Sequence, residues 1–94
     1  MQNAVIYYCQ SKEENSEISI SYVNELIKDL EKQCAIKGVF VDNYNERTEF
    51  YNLINNSLDS IDLIYINDEV LDEFDRKLLE QVAKAEGIFI KLRD

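Results

Sequence analysis

The stretch AVIYYC, residues 4–9, is a short and continuous apolar run near the start of the chain. It is rich in β-branched and aromatic residues, and three later runs are of the same type: VFV (39–41), IDLIYI (61–66) and IFIKL (88–92). Continuous rather than alternating apolar runs are typical of strands that are covered on both faces, as in a parallel sheet. The four runs therefore predict four strands of such a sheet.

Three segments between these runs carry apolar residues at steps of three and four, which is typical of amphipathic helices. The predicted stripes consist of Val23, Leu26, Ile27, Leu30 and Cys34; of Phe50, Leu53 and Ile54; and of Leu71, Phe74, Leu78 and Val82. Strands that alternate with helices predict an α/β fold. We expect a single domain over residues 1–94, with a four-stranded, mainly parallel sheet in the order 2-1-3-4 and helices on both faces.

The chain has two glycines and no proline. Gly38 and Gly87 each lie between a predicted helix and a predicted strand, where a residue in the left-handed conformation commonly ends a helix. Both are therefore predicted to be helix ends.

Composition narrows the classes of function. With 10 basic and 19 acidic residues the net charge is −9, and the few basic residues are scattered, which opposes binding of DNA or of an anionic membrane by the chain alone. Histidine is absent, and Cys9 and Cys34 have neither metal-type nor redox-type spacing. We expect no cofactor and no metal. The lack of a signal peptide or long apolar stretch indicates a reduced, cytoplasmic protein.

In a sheet of this order, ligands bind beyond the carboxyl ends of the strands, where the winding reverses. That position lies between the first and third strands, so the loops that meet there are CQSKEEN (9–15) and NDEV (67–70). A site, if the chain has one, is expected in these loops.

Two chemistries are disfavoured at this position. A phosphate-accepting thiol at Cys9 would need a cradle of backbone N–H groups, but the loop has no glycine and its two adjacent glutamates would repel phosphate. A Mg²⁺ pocket needs carboxylates from both strand ends, whereas the first strand ends in Cys-Gln-Ser. Asp68 and Glu69 also fit the acidic start of a helix.

The motifs in chain order resemble the catalytic domain of serine recombinases of the resolvase/invertase family. AVIYYCQS is similar to the family's first strand, A-x-I-Y-x-R-V-S, with Ser11 at the position of the nucleophile. VFVDNYNERTEF resembles the second strand and the R-P-x-F motif, in which Arg47 and Phe50 match. SIDLIYI resembles the third strand, with Asp62 at the usual acidic position. The resemblance implies Ser11 and Arg47 as the catalytic positions.

The chain departs from this family where phosphate is held. Cys9 occupies the position of the first-strand arginine, and Thr48 replaces the proline. NDEVLDEFDR stands where the family has L-D-R-L-x-R, and no register places arginine at both positions. One electrostatic donor can contribute about 3–4 kcal/mol to transition-state stabilisation. We therefore predict that Ser11 is not a working nucleophile, and we expect neither the family's long dimerisation helix nor a DNA-binding module.

The favoured hypothesis is a serine-recombinase-like domain that has lost catalysis and acts through protein contacts, with a recombinase or a second copy as partner. It would modulate a recombinase or be a remnant of a mobile element. The alternative is a flavodoxin-like phosphotransfer domain of the sugar-phosphotransferase B type, with Cys9 carrying the phosphate. A third possibility is an active recombinase with rearranged arginines.

Overall fold

The computed structural model describes residues 1–56, 58–67 and 72–93. The strands are β1 (Gln2–Cys9), β2 (Cys34–Asp42), β3 (Leu63–Asn67) and β4 (Phe89–Arg93), and the helices are α1 (Ser16–Leu30), α2 (Thr48–Asn55) and α3 (Glu73–Glu86). The strand order is β2-β1-β3-β4, and the pairings between neighbours are parallel. The prediction of a small α/β domain with this sheet order is confirmed.

The two faces of the sheet are covered by different helices. Tyr7 of β1 packs on one face with Phe50 of α2 and Leu79 of α3, whereas Ile6 packs on the opposite face with Leu26 of α1. Successive residues of a strand point to opposite faces, so β1 needs apolar side chains at every position. Its burial from residue 4 to residue 9 explains the continuous run seen in the sequence.

The start of β2 differs from the prediction. Helix α1 ends at Leu30, and Cys34 is the first residue of β2 rather than a member of the helical stripe. Its side chain is buried as expected, because it packs with Ala4 of the neighbouring strand β1 and with Leu63 of β3, the next strand across the sheet. The apolar spacing of three and four therefore continued past the true end of the helix by coincidence.

The two glycines have different roles. Gly87 ends α3 in the left-handed conformation, with φ of 70°, as predicted. Gly38 does not end a helix; it lies inside β2 at a β-bulge, because Ala4 pairs with Ile36 while Val5 pairs with Gly38, which leaves Lys37 as the extra residue. A Cβ atom at Gly38 would lie 3.1 Å from the ring of Phe40, so any larger residue there would require this ring to shift.

The buried faces of the helices follow the predicted stripes in α1 and α2 but not in α3. Phe74 is 70% exposed, and Leu71 lies outside the described residues. Leu78 and Val82 are only partly buried at the edge of the core. The buried residues of α3 are one position further along the chain: Asp75, Leu79 and Ala83. The stripe was misplaced because its first buried member is an aspartate, which periodicity assigns to the solvent.

In the part of the chain that the structure describes, we find no helix whose length and apolar character would allow it to cross a membrane.

Candidate functional site

The carboxyl edge of the sheet brings the predicted site residues into one region. Ser11 follows the end of β1, and Arg47 lies in the connection between β2 and α2, where it contacts Cys9 of β1. Asp62 lies elsewhere: it precedes β3 and accepts a hydrogen bond from the backbone N–H of Asn3, at the opposite edge. Of the residues named in the resemblance, the structure therefore places Ser11 and Arg47, but not Asp62, at the edge where this type of sheet binds ligands.

Ser11 is exposed and its backbone is held by a carboxylate. Its N–H donates to Oε1 of Glu14 at 3.1 Å, and its C=O accepts from the N–H of Glu14 at 3.2 Å. The N–H beside the hydroxyl is thus already bound to an anion of the protein itself. An incoming phosphate would meet a like charge next to Ser11.

Glu14 fixes the whole loop after β1. Its Oε2 accepts hydrogen bonds from the hydroxyls of Tyr8 and of Ser19, the latter at 2.9 Å. Burial acts to raise the pKa of Glu14, but the hydrogen bonds from Tyr8, Ser11 and Ser19 outweigh it and lower that pKa. Burial and the bond to Glu14 raise the pKa of Tyr8. The glutamate is therefore ionised at neutral pH, with a protonated tyrosine as donor.

Arg47 is bound on three sides by the protein. Its Nε lies 3.2 Å from Oδ2 of Asp75, its Nη1 donates to Sγ of Cys9 at 3.3 Å, and Nη1 also donates to the C=O of Glu46 at 2.7 Å. Asp75 Oδ1 in turn accepts from the hydroxyl of Tyr51 at 3.0 Å. The guanidinium thus links the end of β1 to the start of α3.

Cys9 is a covered thiol. It is 1% exposed, and its Sγ lies 3.5 Å from the C=O of Asn43, to which it can donate. Burial raises the pKa of Cys9, and this outweighs the lowering by the positive charge of Arg47. Because the thiolate is the reactive form, a raised pKa together with burial leaves this thiol unreactive at neutral pH.

Asp42, at the end of β2, positions α2 beneath the site. Its Oδ1 accepts from the N–H of Glu49 at 2.8 Å, and its Oδ2 accepts from the N–H of Phe50 at 3.0 Å and from the hydroxyl of Tyr7 at 2.7 Å. These N–H groups belong to the first turn of α2, whose own N-cap residue, Arg47, makes no capping bond. A carboxylate here satisfies free donors and complements the helix dipole.

Asn67 occupies the point where the winding of the sheet reverses. Its Oδ1 accepts from the N–H of Cys9 at 3.0 Å, and its Nδ2 donates to the C=O of Cys9 at 2.8 Å. The side-chain amide acts as an additional backbone partner and joins β1 to β3 beyond their last paired residues. The rest of the third-strand loop, with Asp68 and Glu69, lies outside the described residues.

Two residues that organise this edge, Asp42 and Asp75, were not predicted from the sequence, and Asn67 was predicted only as part of the loop 67–70. Of the first two, a signal existed only for Asp42, which stands between an apolar run and a helix, a common place for a capping carboxylate. Asn67 and Asp75 contact residues 58 and 28 positions away in the chain, and no local pattern indicates such pairs.

Among residues 1–56, 58–67 and 72–93, no group of three or more cysteine, aspartate or glutamate side chains is arranged to hold a metal ion.

No protein-family model, curated protein or solved structure matches the chain. The fold and the contacts of the carboxyl edge are therefore the basis for a proposed function.

Proposed function

We propose that the chain is a non-catalytic, serine-recombinase-like domain that acts by binding another protein, with the catalytic domain of a serine recombinase as its partner. The observation that carries this proposal is that the protein itself binds the donors in the described part of the carboxyl edge. Arg47 is paired with Asp75, and the N–H of Ser11 is bound by Glu14. The backbone N–H and C=O of Cys9 are bound by the side chain of Asn67.

The loss of catalysis is supported by where the donors of the edge point. Phosphoryl transfer from DNA to a serine requires cations and N–H groups aimed at the reacting phosphate. Arg47 is instead paired with Asp75, and the N–H of Ser11 is bound to Glu14. Among the described residues, every buried side-chain nitrogen or oxygen has a hydrogen-bond partner, so this part of the chain holds no buried polar side-chain atom that a ligand would have to satisfy.

The protein partner is supported by the charge of the chain together with its resemblance. A net charge of −9 opposes DNA binding by the chain alone, so an effect on recombination would pass through a protein that binds DNA itself. A domain with the predicted strand order that lacks the family's first-strand arginine and the two arginines after the third strand could occupy the contact surface of an active relative.

The phosphotransfer alternative is disfavoured by the surroundings of Cys9. A phosphocysteine must be reached by the donor and the acceptor, but this side chain is 1% exposed. Glu14 also lies in the loop directly after it, where its charge would oppose the negative charge of a phosphoryl group.

The test is affinity capture from a lysate of the source cell, with the whole chain as bait and mass spectrometry of the retained proteins. Ser11→Ala and Cys9→Ser are the matched baits. We expect a recombinase on wild type and on both variants, and we expect the purified chain to change the rate of recombination by that enzyme. A phosphocarrier that is lost with Cys9→Ser would overturn the proposal in favour of phosphotransfer. An empty bait would also overturn it, in favour of a remnant of a mobile element.

A further inference from the structure

We propose that the free edge of β2, together with the apolar groove between β2 and α1, binds an extended basic segment of the partner protein as an added strand. This inference rests on the proposed function in one respect, that the chain binds a protein. It adds where on the fold the partner binds and what chemistry it presents.

The backbone of β2 has a free side that can be assigned. β2 is the edge strand beside β1, and the C=O of Asp42 points towards β1, because it accepts from the N–H of Gln10 at 2.9 Å. The N–H and C=O of one residue point to the same side of a strand, and this side alternates along the chain. The backbone groups of Val39 and Val41 therefore point away from β1, to the open edge.

A groove of about 360 Å³ lies beside this edge. Its lining residues in the described chain are all uncharged, although 31% of the protein is charged: Gln10, Ser16, Ser19, Ile20, Val23, Asn24, Ile27, Val39, Val41 and Asn43. Ile20 is 59% exposed and the two valines are 38% exposed each. Every second side chain of an added strand would point to the same face as the two valines and cover this apolar surface.

The features that protect β2 against strand pairing lie in its amino-terminal part, before Val39. Edge strands are commonly guarded by lysine and by β-bulges, which prevent unwanted pairing. In β2 the lysine and the bulge coincide at Lys37 and Gly38. The part that follows, with Val39, Phe40 and Val41, carries neither, so the half of the strand beside the groove is the half that is open to a partner.

Charge selects the occupant. On the flanking elements, exposed Glu17 lies three positions before Ile20 and exposed Glu31 lies four positions after Ile27, while Lys28 lies in the last turn of α1 and Lys37 lies two positions before Val39. These four charges balance, so the net charge of −9 of the whole chain decides the preference for a basic segment. A second copy of the chain would bring a further charge of −9 and be repelled. A segment with apolar residues at alternate positions and lysine or arginine between or beside them fits both the groove and its surroundings.

The experiment is selection of random peptides displayed on phage against the immobilised whole chain. We expect the enriched peptides to carry β-branched or aromatic residues at alternate positions together with lysine or arginine. Val41→Lys should lower their affinity at least about tenfold, because the new ammonium group lies in the apolar groove. Leu92→Lys is the matched control, since Leu92 is a 50% exposed apolar residue of the other edge strand, and it should leave the affinity unchanged.

Circular dichroism establishes whether each variant is folded. If Val41→Lys is unfolded, Val39→Lys serves as the second groove variant. The proposal is overturned by an absence of enriched peptides, by acidic peptides, or by binding that survives both valine substitutions. A dimer of the chain that either substitution dissolves would overturn it as well, because the occupant would then be a second copy. If a Val41→Lys bait still captures the partner protein from lysate, the proposal of an added strand at β2 is wrong. The proposed protein-binding function then still stands.

Discussion

Nη1 of Arg47 lies 3.3 Å from Sγ of Cys9, at the strand position where the family resemblance places an arginine. Arg47, which the resemblance assigns to the second motif, thus points at Cys9, the residue that stands where the family has the arginine of the first. Arg47 also contacts the carboxylate of Asp75 and the C=O of Glu46. In the structure, the positive charge of Arg47 therefore links α3 to β1.

Arg47→Met should lower the free energy of unfolding by about 2–3 kcal/mol, because Asp75, with a side chain only 4% exposed, loses its cation. Urea denaturation measures the change. Lys77→Met is the matched control, since Lys77 pairs with Glu73 at 3.2 Å on an exposed surface, and it should change the stability by less than about 0.5 kcal/mol. Equal effects of the two substitutions would contradict the structural role of Arg47.

Asp42→Ala should lower the free energy of unfolding by about 2–3 kcal/mol, because two N–H groups of α2 and the Tyr7 hydroxyl lose their acceptor together. Tyr7→Phe removes only one of these donors and should cost about 1 kcal/mol. Asp59→Ala, at an exposed turn, is the control and should stay within about 0.5 kcal/mol. If Asp42→Ala left the free energy of unfolding unchanged, the cap of α2 would contribute nothing to stability.

Iodoacetamide at neutral pH should label Cys9 no faster than the protein unfolds, because the thiol is buried and its pKa is raised. Peptide mass spectrometry assigns the site, and labelling in urea gives the reference rate for an exposed thiol. Cys34 is also buried and provides an internal comparison. Rapid labelling confined to Cys9 in the folded protein would revive the phosphotransfer hypothesis.

The stability of the protein should fall as the pH rises past about 9. Burial, foremost among the causes, raises the pKa of Cys9, Tyr7 and Tyr8 in the folded state, whereas the unfolded chain loses these protons near the ordinary values of 9.0 and 10.0. The folded state therefore binds more protons in this range, and the free energy of unfolding decreases with pH. We expect a loss of roughly 1–3 kcal/mol between neutral pH and about pH 11, measured by urea denaturation.

Tyr7→Phe should make this alkaline decline shallower, and Tyr44→Phe, at an exposed position, should not. At acid pH, Glu14 has the opposite effect: the free energy of unfolding decreases as the pH falls. Its lowered pKa contributes stability that is present above the unfolded value of 4.5 and is lost as the pH falls through the folded value. Stability that stays constant on the alkaline side would contradict the buried environment of Cys9 and Tyr7.

Incubation of the purified chain with nicked DNA should give no covalent protein–DNA adduct, and wild type and Ser11→Ala should behave alike. The reason is that Glu14 lies beside Ser11, where a phosphate would need a donor. Denaturing electrophoresis with labelled DNA detects such an adduct. An adduct that Ser11→Ala abolishes would establish an active nucleophile and overturn the proposed loss of catalysis.

The sequence predicts the architecture well because a strand that is buried on both faces of the sheet has a nearly continuous apolar run. Each strand of the sheet contains most or all of an apolar run, although β2 begins five residues before its run, and the order of runs and stripes limits the topology. Gly38 was misread for a physical reason: a bulge and a helix end both favour glycine, and only the pairing of β1 with β2 distinguishes them. The same holds for Cys34, whose burial fits a helix or a strand equally.

The candidate site was predictable only in position. Its contacts depend on buried polar side chains, above all Asp75 and Asn67, whose partners lie on other elements of the fold. Hydrophobic periodicity assigns such residues to solvent, and this is why the predicted stripe of α3 was displaced by one residue. The burial of Asp75 within the apolar face of α3 thus explains why the stripe was misplaced. The same carboxylate binds Arg47 and so determines the direction of its side chain.

The bulge at Lys37 also limits how long a partner can stay bound. Only Val39 and Val41 present their backbone groups on the open half of β2, so an added strand could form few main-chain hydrogen bonds. Differences in affinity among related complexes arise mostly from dissociation rates, and a short ladder dissociates readily. A complex formed at this edge would therefore have a short residence time. The fraction of the protein in complex would then change quickly when the concentration of the partner changes.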